Sequence, residues 1–340
     1  MLLNRETFQC VLESIKYGLS KREGIQQGNC FIFRQGEICT FNGEICCHAP
    51  SSFPTELQGA ALSEKLLETI RKIKDDELTI EHDDGTLYFS GKGKAFKIRY
   101  MPEIVLSFDD IKKPSSWKTL PDMFLEGINT VSCCANPESD HFRLKCVHIH
   151  PEWVEACDNL QMARYELITG FEKSFLVRCD GIKQIVSLGM CEYAEDPNWV
   201  HFRNPRGVIY SCRRYEEDYP DLSQFLVIEN PKEITLPKEL VEIIQIANIY
   251  SKDQIDTDFI RLKLKTNKLT ITGRGACGDE YKEVSVISYK GPAIEFLISP
   301  KLLIELINKH SECQIASDRI LIDGGSWKYS ALLAQDEKDG

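Results

Sequence analysis

Apolar and polar positions alternate along this chain in one recurring pattern. A short segment with apolar residues spaced three and four apart is followed by runs in which they alternate every second residue. The helical segments start at Asn4, Ser63, Pro121, Cys179, Pro237 and Ser299, at intervals of 59, 58, 58, 58 and 62 residues. Three residues after each start stand Thr7, Leu66, Phe124, Ile182, Leu240 and Leu302. Seven residues after it stand Val11, Ile70, Ile128, Val186, Ile244 and Leu306, apolar in all six copies. An offset of three and then four more puts both sets on one helical face, which must pack on apolar surface while the opposite face stays wet.

Strands supply that surface. Runs such as Phe175-Leu176-Val177 and Phe296-Leu297-Ile298 precede helices, and Leu78-Thr79-Ile80 and Leu87-Tyr88-Phe89 follow one. In the fifth copy Ile260-Arg261-Leu262-Lys263-Leu264 and Lys268-Leu269-Thr270-Ile271 flank Thr266-Asn267, which predicts an antiparallel hairpin with one buried face. Each copy therefore reads β-α-β-β-β, an α+β class. The helix starts obey capping chemistry: Ser63 precedes Glu64, and Pro121, Pro237 and Pro300 lie near first turns, where a missing N–H costs nothing. Periodicity lapses at Asp109 to Ser116 and at Glu229-Asn230-Pro231-Lys232. Pairing the six copies across these seams predicts three domains, residues 1–112, 113–229 and 230–340.

Composition narrows the function. The 340 residues carry a formal net charge of −11, so contact with a polyanion has to come from a local basic surface. The fourteen cysteines are dispersed and the N-terminus turns polar too early for a signal peptide, which predicts reduced thiols in a cytoplasm. No apolar run approaches the roughly 18 to 20 residues of a membrane span, and the tail from Gln335 to Gly340 reads as solvated.

Six β-α-β-β-β copies arranged as three domains resemble the bacterial sliding clamp, the DNA polymerase III beta-subunit family. Similarity is densest in the last third, in Ile260-Arg261-Leu262, Leu269-Thr270-Ile271, Glu283-Val284-Ser285-Val286, Tyr289-Lys290-Gly291 and Glu295 to Leu303. Glu217-Asp218-Tyr219-Pro220-Asp221-Leu222 looks like the stretch that closes that family's middle domain, and Leu66 to Ile73 is similar to its second helix. Two segments depart from the family's pattern: Cys157-Asp158-Asn159-Leu160-Gln161-Met162, and the ending Leu332-Leu333-Ala334-Gln335-Asp336. Both belong to that family's partner pocket.

The resemblance implies a non-catalytic processivity factor, with helices inside and sheets outside a ring of two subunits around double-stranded DNA, bound without regard to sequence. A DNA polymerase and a clamp loader would dock by an extended peptide. Implied DNA-facing residues are Lys16, Lys21, Arg22, Arg71, Lys72, Lys74, Lys183, Lys238, Lys301 and Lys309. The implied peptide pocket comprises Leu144, Cys157, Leu160, Met162, Pro220, Phe225 and Leu332. A clamp-fold protein that binds replication partners without encircling DNA is the alternative.

No catalytic residue, cofactor or metal is expected. Gly273-Arg274-Gly275-Ala276-Cys277-Gly278 spells a dinucleotide-binding pattern, but Tyr281, Val284 and Val286 continue it as a strand, where that motif requires a helix. Cys146, His148 and His150 share a strand face and need a further ligand to hold zinc. Cys46-Cys47-His48 and Cys133-Cys134 lack the spacing of structural zinc sites and read as packing residues.

Overall fold

A computed structural model describes residues 2–20, 24–51, 57–83, 85–107, 111–251, 259–275, 277–316 and 318–333, without the side chains at 301, 302, 305 and 309. It contains six successive β-α-β-β-β units. The first comprises β1 (Leu2–Asn4), α1 (Arg5–Ile15), β2 (Cys30–Arg34), β3 (Glu37–Phe41) and β4 (Ile45–Pro50). The second comprises β5 (Gly59–Leu62), α2 (Ser63–Lys72), β6 (Glu77–Asp83), β7 (Thr86–Gly91) and β8 (Lys94–Met101). In the third, β9 (Lys118–Thr119) and α3 (Phe124–Val131) lead to β10 (Cys146–Ile149), β11 (Trp153–Cys157) and β12 (Gln161–Glu166).

The fourth unit has β13 (Phe175–Arg178), a helix in two pieces, α4 (Cys179–Ile182) and α5 (Gln184–Ser187), then β14 (Glu192–Glu195), β15 (Trp199–Arg203) and β16 (Ile209–Arg213). The fifth runs β17 (Lys232–Thr235), α6 (Leu240–Ser251), β18 (Ile260–Lys265), β19 (Lys268–Arg274) and β20 (Glu280–Val286), followed by the short β21 (Ser288–Tyr289). The sixth runs β22 (Ile294–Ile298), α7 (Pro300–Lys309), β23 (Glu312–Ile315), β24 (Arg319–Asp323) and β25 (Trp327–Leu332).

Local chemistry explains the helix starts. The Asn4 side chain accepts the Thr7 N–H at 2.9 Å, capping α1. At Pro121 and Pro237 a turn precedes the helix proper: each proline carbonyl accepts the N–H three residues on, from Phe124 at 3.0 Å and Leu240 at 3.1 Å. These two helices therefore begin three residues later than the sequence pattern suggests.

The buried face corrects the register of the first unit. Thr7 is exposed and Phe8, Leu12 and Ile15 are buried. Phe8 then aligns with Leu66, Phe124, Ile182 and Leu240, all buried, at a constant spacing of 58 residues. Leu12 aligns in the same way with Ile70, Ile128, Val186 and Ile244, of which only Val186 is half-buried. Leu306 fills the corresponding place in α7, whereas Leu302 lies among the side chains outside the described set.

The first strand of each unit pairs with the neighbouring unit. β1 pairs with β6 and β5 with β2; β9 pairs with β14 and β13 with β10; β17 pairs with β23 and β22 with β18. This reciprocal exchange ties units one and two, three and four, and five and six into pairs. The pairs are joined in turn through last strands: β4 pairs with β16, and β12 with β25. All these ladders are antiparallel, and they fall into sheets of twelve, nine and four strands. One large core lies between the helices and one face of the sheets, while a smaller cluster of Cys30, Ile32, Cys39, Cys46 and Trp199 lies on the helix-free side of the first sheet.

Candidate nucleic-acid interface and partner pocket

Each helix buries one face, so its charged residues stand on the other. α1 and α2 pack together, and Glu13 is the hub of the charges at their junction. It accepts two hydrogen bonds from Arg71, at 2.5 and 2.9 Å, and one from Lys16 at 2.8 Å. The Arg71 hydrogen bonds, helped by Lys16, pull the Glu13 carboxyl down to about 2. Two of the expected DNA-facing cations are thereby partly neutralised by one carboxylate. Lys72 and Lys74 are exposed at the end of α2, Lys183 between α4 and α5, and Lys238 in the turn before α6. Lys21 and Arg22 lie outside the described residues, as do the side chains of Lys301 and Lys309.

The pocket residues come from three separate stretches. Cys157 and Met162 are partners across the β11–β12 turn, and the Leu332 N–H donates to the Leu160 carbonyl at 2.8 Å, bringing β25 alongside. Cys157, Leu160, Met162, Phe225 and Leu332 line a cleft of about 70 Å³, with Leu222 at its base. Leu160 and Leu332 are 40% and 39% exposed, so they form its rim, while Cys157, Met162 and Leu222 are buried beneath them. Leu144 packs against this buried cluster without lining the cleft. Pro220 is exposed and lies outside the lining.

Its neighbour Tyr219, which the sequence reading did not select, holds the base in place. The Tyr219 hydroxyl accepts the Cys157 N–H at 3.0 Å and donates to Cys157 Sγ at 3.3 Å, and its ring stacks on His148 at 4.7 Å. Burial, reinforced by the adjacent Cys157, drives its phenol far above the ordinary range and keeps it a neutral donor. At the tip of the β11–β12 turn Asp158 accepts the N–H groups of Leu160 and Gln161, at 2.7 and 2.8 Å.

Comparison with solved structures identifies the architecture. The chain has the sliding-clamp fold. The DNA polymerase III beta subunit of Thermotoga maritima superposes with a TM-score of 0.80 at 14% identity, covering 98% of each chain. Sliding clamps of Bartonella birtlesii and Pseudomonas aeruginosa, both bound to griselimycin, give TM-scores of 0.83 and 0.81 at 12% and 14% identity, over 98% of this chain and 99% of theirs. No family model matches the sequence, and no curated protein matches it significantly.

Within the clamp fold, the set-aside motifs take definite places. Gly273 and Arg274 close β19, the described residues Gly275, Cys277 and Gly278 lead towards β20, and no helix opens among them. A Cβ on Gly273 would come within 2.0 Å of the Ala247 carbonyl oxygen, so glycine is what lets α6 lie against β19. Cys146, His148 and His150 do not converge. Cys146 Sγ donates to the Phe142 carbonyl, His148 Nδ1 meets Glu155 at 2.8 Å, and His150 stacks on Trp153 at 3.4 Å. Burial raises the Glu155 carboxyl, but His148 and Arg164 more than offset it and hold the group below its usual value.

A different cluster forms where the sequence offered only Cys46-Cys47-His48. Cys39 pairs with His48 across β3 and β4, and Glu37 stands two residues before Cys39 on the same face. His48 Nδ1 is 3.1 Å from Cys39 Sγ and 3.7 Å from Glu37 Oε2, while His48 Nε2 is 3.3 Å from Cys46 Sγ. Cys47 points into the opposite, helix-side core. The signal was cross-strand: Glu37, Cys39, Cys46 and His48 share one face only once the turn between β3 and β4 sets their register.

Proposed function

We propose that this chain is the sliding clamp of a replicative DNA polymerase, two copies closing head to tail around duplex DNA. One feature of the strand pairing carries the reading. Last strands join unit pairs twice within the chain, as β4–β16 and β12–β25. That leaves the last strands of units two and five. Among the described residues, β20 has β19 on one side and no strand on the other; β8 has β7 along its length but β5 only at Tyr100 and Met101. A second copy placing its β20 beside β8 repeats the same join twice more and closes a ring in which every last strand has a last-strand neighbour. The charges of the two strands are mostly opposite: β8 presents Lys94, Lys97 and Arg99, and β20 carries Glu280 and Glu283 with Lys282 between them.

In this reading residues 1–112, 113–229 and 230–340 are three domains and the dimer has six. Enclosure keeps the ring on DNA, so no tight grip is needed. Exposed Lys72, Lys74, Lys183 and Lys238 supply weak, sequence-independent attraction to phosphates, while the net charge of −11 limits other contacts with nucleic acid. The protein performs no chemistry and works in the cytoplasm. Its cleft at Cys157, Met162, Leu222 and Leu332 takes apolar side chains of an extended peptide from the polymerase or its loader.

Light scattering of the purified protein tests the ring directly. A mass of twice the chain, reduced to one by Lys97→Glu in β8, is expected. A stable monomer that still binds polymerase peptides would support a clamp-fold partner protein that does not encircle DNA.

A further inference from the structure

We propose that Glu37, Cys39 and His48 form a binding site for a zinc-class divalent cation on the helix-free face of the first sheet. This inference stands apart from the ring and from DNA. Their ligand atoms, one carboxylate oxygen, one thiol sulfur and Nδ1, all lie within 4.8 Å of one another. Bond lengths of about 2.3 Å to sulfur and 2.0 Å to nitrogen put ligand atoms of a tetrahedral zinc roughly 3.5 Å apart. The 3.1 and 3.7 Å contacts of His48 bracket that spacing, and Cys39 Sγ and the Glu37 carboxylate lie within 4.8 Å of each other, so a rotation of the Glu37 side chain toward Cys39 completes the set.

Thiolate, imidazole and carboxylate are zinc's three usual protein donors, and a three-residue set leaves one position for water or an exogenous ligand. The surroundings orient the imidazole. A metal on Nδ1 requires the ring proton on Nε2, and Cys46 Sγ, 3.3 Å from Nε2, accepts it there. Apolar Ile32, Ala60, Leu106, Ile111 and Trp199 share a cluster with Cys39 and Cys46, and Ser211 and His201 lie on the neighbouring strands of the same sheet. Access is from the carboxylate side: the Glu37 side chain is 30% exposed and that of His48 only 9%. The Lys113 ammonium already contacts Glu37 there, showing that this carboxylate takes a cation. Metal binding displaces Lys113 and releases the Cys39 thiol proton to solvent.

Titration of the full-length protein with Co²⁺, read by absorbance, tests the site. A sulfur-to-cobalt charge-transfer band saturating at one ion per chain is expected. Cys39→Ser should abolish it, while the exposed Cys10→Ser and Cys277→Ser should leave it intact. Glu37→Gln, at a half-exposed position that does not threaten folding, should keep the band and weaken Zn²⁺ affinity roughly tenfold or more in competition with a chelator. Absence of the band in the parent overturns the proposal, as does its persistence in Cys39→Ser. If circular dichroism shows Cys39→Ser to be unfolded, Glu37→Gln decides: unchanged Zn²⁺ affinity overturns the site.

Discussion

Glu13 and Arg71 occupy equivalent positions of the first two units, 58 residues apart, and bind each other through two hydrogen bonds of 2.5 and 2.9 Å. A residue that meets its own counterpart marks the local two-fold axis between α1 and α2. This bond serves the fold and works against a basic surface, because the carboxylate also holds Lys16.

Glu13→Gln should therefore separate the two roles. The folded-state carboxyl lies near 2, below its ordinary 4.5, so its stabilisation is complete above pH 4.5 and fades as pH falls towards 2. The bridge is solvent-facing, and its loss should cost about 1 kcal/mol at pH 7. Denaturation of the parent and the variant should differ at neutral pH and converge near pH 2. The freed Arg71 and Lys16 should tighten non-specific DNA binding and steepen its logarithmic salt dependence by about 1 to 2 units.

At the cleft, Leu332→Asp places a charge on the rim of an apolar groove and should abolish binding of a clamp-binding peptide while the dimer mass stays unchanged. Tyr219→Phe keeps the ring on His148 but strips the Cys157 N–H of its partner, at a cost of about 2 kcal/mol. Calorimetric peptide titration and thermal denaturation read the two effects separately.

Gly273→Ala should be the most damaging small substitution in the last unit pair. Its Cβ would strike the Ala247 carbonyl oxygen, and α6 must lift from β19, costing about 3 kcal/mol. Urea midpoints would show this, with Gly93→Ala, where no atom lies within 4 Å of an added Cβ, as the milder comparison at a left-handed glycine.

At the open edges, Lys97→Glu should weaken the dimer, and Glu280→Lys in the same chain, on the same outer face of β20, should restore it by reversing the charge there. Sedimentation equilibrium of the single and double variants measures the coupling.

Much of this architecture was legible in the spacing of apolar residues. Leu66, Phe124, Ile182 and Leu240 repeat because each helix must bury the same face against the same strands. The first unit was misread by one position because Thr7 and Phe8 are adjacent, and only packing shows that Phe8 carries the contact. The exchange of first strands was not legible, since local alternation does not say which distant strand is the partner. The same reason hid Cys39 from His48, which meet through hairpin register, and Tyr219 from Cys157, 62 residues away. Pro220 was singled out, but Tyr219 and Leu222 beside it make the contacts at the cleft.

Retention on DNA of different topology tests the central claim most directly. After loading onto a nicked circular plasmid, the protein should stay bound through a high-salt wash and be released when a restriction enzyme linearises the circle. Equal release from circular and linear DNA would contradict the account.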